Sequence, residues 1–554
     1  MRWKIPLSRH WSFRWLAVAL VCGNALYVPL LGVSSDGPLV YAIKDARIVT
    51  VTGGTLAKGT VLIRDGLIES VGERVQIPPD ARVLEGAGLT VYPGLIDAHA
   101  EIALEQPQQA GQRQTRPGSG QPSPPPSLEN KMSPDKLAAD QLKVDEATFE
   151  KYRNAGITTA LTIPRRGIFI GQSALINLAG EKAAQLVVQS PVALHIGLES
   201  TGGFREYPSS LMGVISYIRQ TLYDAQHYQL ERQRYQATRR GMRRPEMNNA
   251  LEALQPVIAG RLPVVMVAQE AKEIHRAIEL AEEFKLKCII SGATESAQVA
   301  ELLRAKQIPV LLSLNFPTEP RDADPEADTP VRVLRQRAEA PKAAAMLQRA
   351  GVKFAFTSGF MSDPKDFIKN AAKAVKAGLA EADALKALTI NAAEIFGVAE
   401  QLGSIEAGKI ANLLVTDGDL FNEKATIKYV FIDGRQFEIK KEPSRATPAG
   451  EQPPVDATGM WNLTVETPQG AVQVTANVQQ SGTTLGGTIS SLFGEASISS
   501  GSIRGRTVQF AASINIGGQP TKVEFDGTIQ GDSINGTVSV SGQGSFPFSG
   551  TRPK

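Results

Sequence analysis

Thr90-Val91-Tyr92-Pro93-Gly94-Leu95-Ile96-Asp97-Ala98-His99-Ala100-Glu101-Ile102 decides how the rest of the chain is read. A β-branched start, a Pro-Gly corner and a short apolar run lead into three side chains able to bind a metal or move a proton. Side chains alternate along a strand, so Asp97, His99 and Glu101 fall on one face. Three such groups on one face of a strand end read as a site.

The flanks of this stretch read as strands. Upstream, residues 42–51, 60–64 and 67–72 alternate in strand fashion, with a hairpin signal at Asp65-Gly66. Much later, 402–415 and 429–435 do the same. In between, from residue 146, strand patterns at 155–162, 174–178, 191–198, 263–267, 287–291, 308–314 and 352–357 alternate with amphipathic helices such as 272–284 and 340–349. Such alternation argues for a parallel sheet under helices. A long helix is expected from Leu211 to about Gln236, with Leu211, Ile215, Ile218 and Leu222 on one stripe.

Composition bounds the rest. The 554 residues are 42% hydrophobic and 21% charged, which suits two or three globular domains. Residues 1–14 are basic and 15–33 mostly apolar, an export signal or an uncleaved membrane anchor. An exported protein of the periplasm or cell envelope is expected, touching membrane only through that segment. Setting aside Arg2, Lys4, Arg9 and Arg14 lowers the formal charge from +3 to −1. The one remaining basic cluster, Arg239, Arg240, Arg243 and Arg244, reads as a solvated loop and not as a nucleic-acid surface. Two cysteines, Cys22 and Cys288, supply neither a disulfide framework nor a cysteine metal site. Residues 105–135 are rich in Gln, Pro, Ser and Gly and cannot bury a core, so a mobile insertion is expected. Residues 443–456 read as a linker, and 457–554 as a separate all-β domain of short strands with glycine turns.

Pro93-Gly94-Leu95-Ile96-Asp97-Ala98-His99 resembles the first barrel strand of the amidohydrolase superfamily, the metal-dependent hydrolases that include imidazolonepropionase and dihydroorotase. Gly156-Ile157-Thr158-Thr159 resembles a second motif of that family, and the bracketing strands resemble its split β-sandwich. The resemblance implies an α/β fold: a (β/α)8 TIM barrel over 94–398, with a composite β-sandwich from 36–93 and 399–442. The last domain, from Gly459-Met460-Trp461 to Gly550-Thr551-Arg552, resembles a lipocalin-like barrel closed by a Trp on which a late Arg stacks. A glycine-rich sandwich is the alternative there.

The same resemblance implies a hydrolase of non-peptide C–N bonds, of cyclic-amide type, and one divalent metal such as zinc. Family members place two histidines on strand one, a Lys or Glu on strand four, His on strands five and six, and Asp on strand eight. Here His99 is present and Glu101 replaces its partner. Val267, Ser291, and Ser358 or Gly359 stand at the strand five, six and eight positions. The metal set left to this chain is His99, Glu101 and His195. Against it stands the reading of His195 as a satisfied core residue and of His99 as hydrogen-bonded to a carboxylate, with no metal. Asp363 either stands in for the lost acid or caps a helix. Two functions follow: a hydrolase on a rebuilt metal site, or a non-catalytic exported scaffold, a pseudoenzyme. The scaffold would bind a small molecule or a partner and assemble with itself or an intact homologue. A further expectation is that the C-terminal barrel binds an apolar ligand.

Overall fold

The computed structural model describes residues 40–104, 132–164, 167–199, 207–318, 329–359, 361, 363–439, 455–467, 470–492, 494–516, 519–540 and 544–553. The expected export segment at 1–35, most of the 105–135 insertion and most of the 443–456 linker lie outside the described residues. Among the described residues no helix is long and apolar enough to cross a membrane.

The central domain is a barrel of TIM type. Its first strand, Leu95–Ala100, runs parallel to the second, Ile157–Thr162. The fourth to eighth strands, Leu194–Gly197, Val264–Ala268, Cys288–Gly292, Val310–Ser313 and Phe354–Thr357, run parallel in that order, and the eighth packs beside the first. The third place departs from the expected pattern. It is taken by a bent pair, Phe169–Gln172 and Ala174–Asn177, antiparallel to the fourth and second strands respectively. A parallel crossover needs a dozen or more residues. The link from Thr162 to Phe169 is shorter than that, so the chain folds back as a hairpin and fills the place from the other direction.

Alternation divides the strand side chains into two layers. Val264, Met266, Ile290, Val310 and Phe356 face the helices, meeting residues such as Ile274, Ile278 and Phe284 of the Ala271–Phe284 helix. Ile96, Ala98, Ala193, Val265, Ile289, Leu311 and Ala355 face inward and form an apolar plug. Two residues further along the same strands, the inward positions become His195, Val267, Ser291, Ser313 and Thr357. A mostly polar layer therefore caps the plug at the C-terminal mouth, where barrels of this type carry their chemistry. The long helix spans Leu211–Ala237; its buried residues include the expected Ile218 and Leu222 with Val214 and Ala225, and the expected Leu211 and Ile215 pack partly buried against the same core.

The flanking segments join in one eight-stranded sheet. Thr90–Pro93 pairs antiparallel with Leu413–Thr416, placing Tyr92 opposite Leu414. The sheet's core is Ile43, Ile48, Val61, Ile63, Leu413 and Phe431. A bridge between Leu67 and Ile410 brings the far strand back towards the middle, so the sheet wraps its own core. Gly94 is the hinge between sheet and barrel. Its N–H donates to the carbonyl of Asn412 at 2.8 Å, and a Cβ there would lie 2.3 Å from Thr158 Oγ1.

The C-terminal domain is a closed antiparallel barrel of eight strands, from Gly459–Thr467 to Gly544–Thr551, whose first and last strands pair. Trp461 Nε1 donates to the carbonyl of Ala457 at 2.9 Å, and the Arg552 guanidinium lies 4.6 Å from the centre of its ring. The Trp–Arg closure expected from sequence is present, and the sandwich alternative is not. Phe510 stacks on Phe525 at 4.9 Å, and Phe548 meets Phe525 edge-on at 5.4 Å. The cavity left beside Trp461 and Phe510 is about 10 Å³. That is room for one water, so the described side chains fill this part of the barrel.

Substituting Gly94→Ala should cost about 1–3 kcal/mol through overpacking against Thr158. Thr158→Gly in the same chain should recover part of the loss. Urea midpoints check both; an unchanged midpoint for Gly94→Ala would mean that the corner has room for a side chain.

Candidate functional site

The first strand carries Asp97 and His99 to the mouth, and its pairing with the second shifts register between Asp97 and Ala100. Asp97 Oδ1 accepts from the backbone N–H of Ser358 at 2.9 Å and of His99 at 3.2 Å. Thr357 Oγ1 donates to the carbonyl of His99 at 2.8 Å. The first and eighth strands are thereby stitched together. His99 Nδ1 lies 2.7 Å from Ser291 Oγ on the sixth strand. The rings of His99 and His195 meet edge-on with centres 5.8 Å apart.

All of this is buried. Asp97 Oδ2 and both ring nitrogens of His195 have no hydrogen-bond partner among the described residues. A buried polar atom left unsatisfied costs about 1–3 kcal/mol, so these three mark an unfinished arrangement. Burial pushes the Asp97 carboxyl up to about 6, although the N–H groups of Ser358 and His99 pull it back. Burial pushes the His99 imidazole down to about 4. His195 is held well below its ordinary range by burial and then by the neighbouring His99. At neutral pH both rings are uncharged. Tyr152, on the Glu146–Asn154 helix, is raised by burial and then by the Asp97 charge, and its hydroxyl reaches the Ser358 side chain.

The structure brings His99 and His195 together. Glu101 lies one residue beyond the end of the first strand and is half-buried. Among the described residues no three His, Cys, Asp or Glu side chains gather closely enough to hold a metal. The remaining family positions are refilled. Val267 stands in register with Ser291, whose hydroxyl serves His99. Gly359 has φ +54°, and a Cβ there would lie 1.9 Å from Ser313 Oγ, so no aspartate side chain fits. Gly292, after Ser291, lies under Gln269, whose Nε2 is 2.3 Å from where a Cβ would be. A zinc centre takes three or four protein donors, and the described residues do not gather that many.

One expectation is corrected by these contacts. His99 Nδ1 meets the Ser291 hydroxyl, while Asp97 Oδ1 is occupied by backbone N–H groups. His195 is a core residue, but it is not a satisfied one. Asp363 is exposed and accepts the N–H of Lys365 at 2.9 Å, the turn-capping role. His227 pairs with Glu231 on the surface, and His275 is exposed. Sequence reasoning missed the backbone-clamping role of Asp97, although the residue stands inside the motif. It also missed Tyr152, for which the pattern held no signal.

The sequence profile of the amidohydrolase family matches residues 90–437. The solved structure of an amidohydrolase from Thermotoga maritima MSB8 superposes with a TM-score of 0.60 at 26% identity, over 72% of this chain and 100% of that one. A dihydroorotase from Anaeromyxobacter dehalogenans (strain 2CP-C) is 41% identical over 63 residues, 11% of this chain and 14% of its own length. A 5-methylthioadenosine/S-adenosylhomocysteine deaminase from Pyrococcus furiosus is 36% identical over 62 residues, 11% of this chain and 15% of its own length. The chain thus spans only a small part of the curated relatives it matches.

Proton linkage tests the buried pair. Both histidines have lowered folded pKa values, so their contribution to stability is complete above their ordinary value of 6.5 and is lost as pH falls towards 4. Asp97 runs the other way, since its raised pKa gives a contribution lost as pH rises through about 6. Two histidines against one carboxyl leave stability rising with pH between 5 and 6. In His195→Leu that slope should drop by about 1.4 kcal/mol per pH unit, read from urea titrations. An unaltered slope would mean that His195 takes up no proton on unfolding.

Proposed function

The chain belongs to the amidohydrolase family, and we propose that it keeps the family's barrel as a non-catalytic scaffold of the cell envelope and not as a metal-dependent hydrolase. The observation that carries this reading is the refilled mouth. Ser291 is engaged with His99, the Ser358 N–H with Asp97, and Gly359 backs onto Ser313 with no space for an acid. Hydrolysis of an amide in this family needs a metal to lower the pKa of a bound water and an acid–base group to move its proton. Asp97 is turned to backbone N–H groups. His99, with its pKa near 4, is a weak base at neutral pH. The scaffold would bind a small molecule or a protein partner, and would assemble with its own copies or with an intact homologue. Its membrane contact would run only through the N-terminal segment, and no nucleic acid is involved.

A second reading is favoured by the unpartnered nitrogens of His195 and by Asp97 Oδ2. It is a hydrolase of non-peptide C–N bonds, of cyclic-amide type, with one divalent metal drawn to His99, Glu101 and His195.

Elemental analysis of the full chain, purified without chelator and dialysed against zinc, separates the two. The scaffold reading expects well under one metal per chain, no turnover of cyclic amides, and a His99→Ala variant altered in stability at most. About one zinc, manganese or iron per chain, lost in His99→Ala, would sink it in favour of the hydrolase.

A further inference from the structure

A cleft of about 860 Å³ opens on the flank of the barrel. Asn154 and Ala155 line it, just before the N-terminal end of the second barrel strand, whereas His99 and Ser291 sit at the C-terminal ends of theirs. One wall is the Asp366–Lys376 helix with Lys365 before it; the other is the chain from Thr416 to Tyr429, with Glu438 and Ile439.

The two walls differ in chemistry. Lys365, Lys369, Lys373 and Lys376 follow one another at spacings of four, four and three residues, which puts them on one helical stripe, and all are exposed. The facing wall presents Leu420, Phe421, Ile427, Tyr429 and Ile439, buried or half-buried. On that wall Lys428 is paired with Asp417 at 3.1 Å, and Glu423 is paired with Lys376. Lys369 meets Asp366 on its own helix at 3.1 Å. Like charges four residues apart on a helix repel each other. Exposed ion pairs are weak, and the residues lining the cleft bring five lysines (Lys365, Lys369, Lys373, Lys376 and Lys428) against two carboxylates, Glu423 and Glu438, so the cleft stays net positive.

We propose that this cleft binds an extended acidic segment of a partner protein in which acidic and apolar residues alternate. Lys365, Lys369 and Lys373 recur at a rise of ~6 Å along the helix axis. Alternate residues of an extended peptide recur at ~6.6 Å. Carboxylates at every second position of a peptide laid along the helix therefore meet successive lysines, and the intervening side chains point at the apolar wall. A lipid or fatty acid carries its charge at one end and would engage one part of the row. The reading does not rest on the state of the barrel mouth.

The test is fluorescence anisotropy with the full chain at low salt and a fluorescein-labelled Glu-Val-Glu-Val-Glu-Val peptide. Saturable binding is expected. It should weaken with added salt, and by about tenfold both for the glutamine analogue of the peptide and in a Lys369→Gln, Lys373→Gln double variant. Both lysines are exposed, so the variant should keep the wild-type thermal melt by circular dichroism, which separates lost binding from lost folding. Absence of saturable binding would overturn the proposal. So would equal binding of the glutamine peptide or an unaffected double variant. Lysine-dependent binding of phosphatidylglycerol vesicles without binding of the peptide would overturn it too and make the cleft a lipid site.

Discussion

The barrel is closed by a carboxylate gripping a backbone. Asp97 on the first strand holds the N–H of Ser358 just past the eighth, and Thr357 returns a hydrogen bond to the carbonyl of His99. Every other feature of the mouth is arranged around that seam. Asp97 Oδ1 is committed to N–H groups, and His99 Nδ1 meets Ser291 across the barrel. Because Ser358 is drawn inward, the next residue turns into the left-handed region, and Gly359 is the residue that tolerates both this backbone and the closeness of Ser313. Hydroxyls and amides tie these strand ends in pairs.

This arrangement is electrostatically taut. Asp97 has two N–H donors for one oxygen and, among the described residues, no hydrogen-bond partner within normal geometry for the other, in a buried place. Its carboxyl stays protonated to an unusually high pH as a result. The histidines pay nothing for charge because they carry none, yet His195 keeps two unserved nitrogens beside an apolar plug. A ring of similar shape without nitrogens would remove that penalty. The layer therefore holds polarity that packing alone does not require.

Much of the architecture could be read from pattern. The flanking sheet announced itself by alternation around Ile43, Ile63 and Leu413, and the barrel by apolar runs such as Val264–Ala268 and Cys288–Gly292 between amphipathic helices. The reversed third strand could not be read, because residues 169–177 have the same apolar character whichever way they run; the length of the preceding link decides. In the site, the missing donors at Val267 and Ser291 were plain from sequence. What took over their space was not. Gln269 over Gly292, Ser313 against Gly359 and Tyr152 beside Ser358 are contacts between distant residues, and they depend on strand stagger more than on residue type. The Trp461–Arg552 closure was legible because both residues sit at fixed places near the ends of a repeating strand pattern.

That closure has a mechanical side. The first and last strands of the C-terminal barrel are antiparallel neighbours, with Asn462 opposite Thr551 and Val465 opposite Phe548. The start of one strand therefore lies beside the finish of the other. Tension applied between the domain's two ends would not shear the seam along its length, with all its hydrogen bonds sharing the load. It would peel the seam open, loading one rung at a time, beginning where Arg552 reaches over Trp461. A domain with no free edge towards other chains is, towards a pull on its own ends, a zipper with its tab exposed.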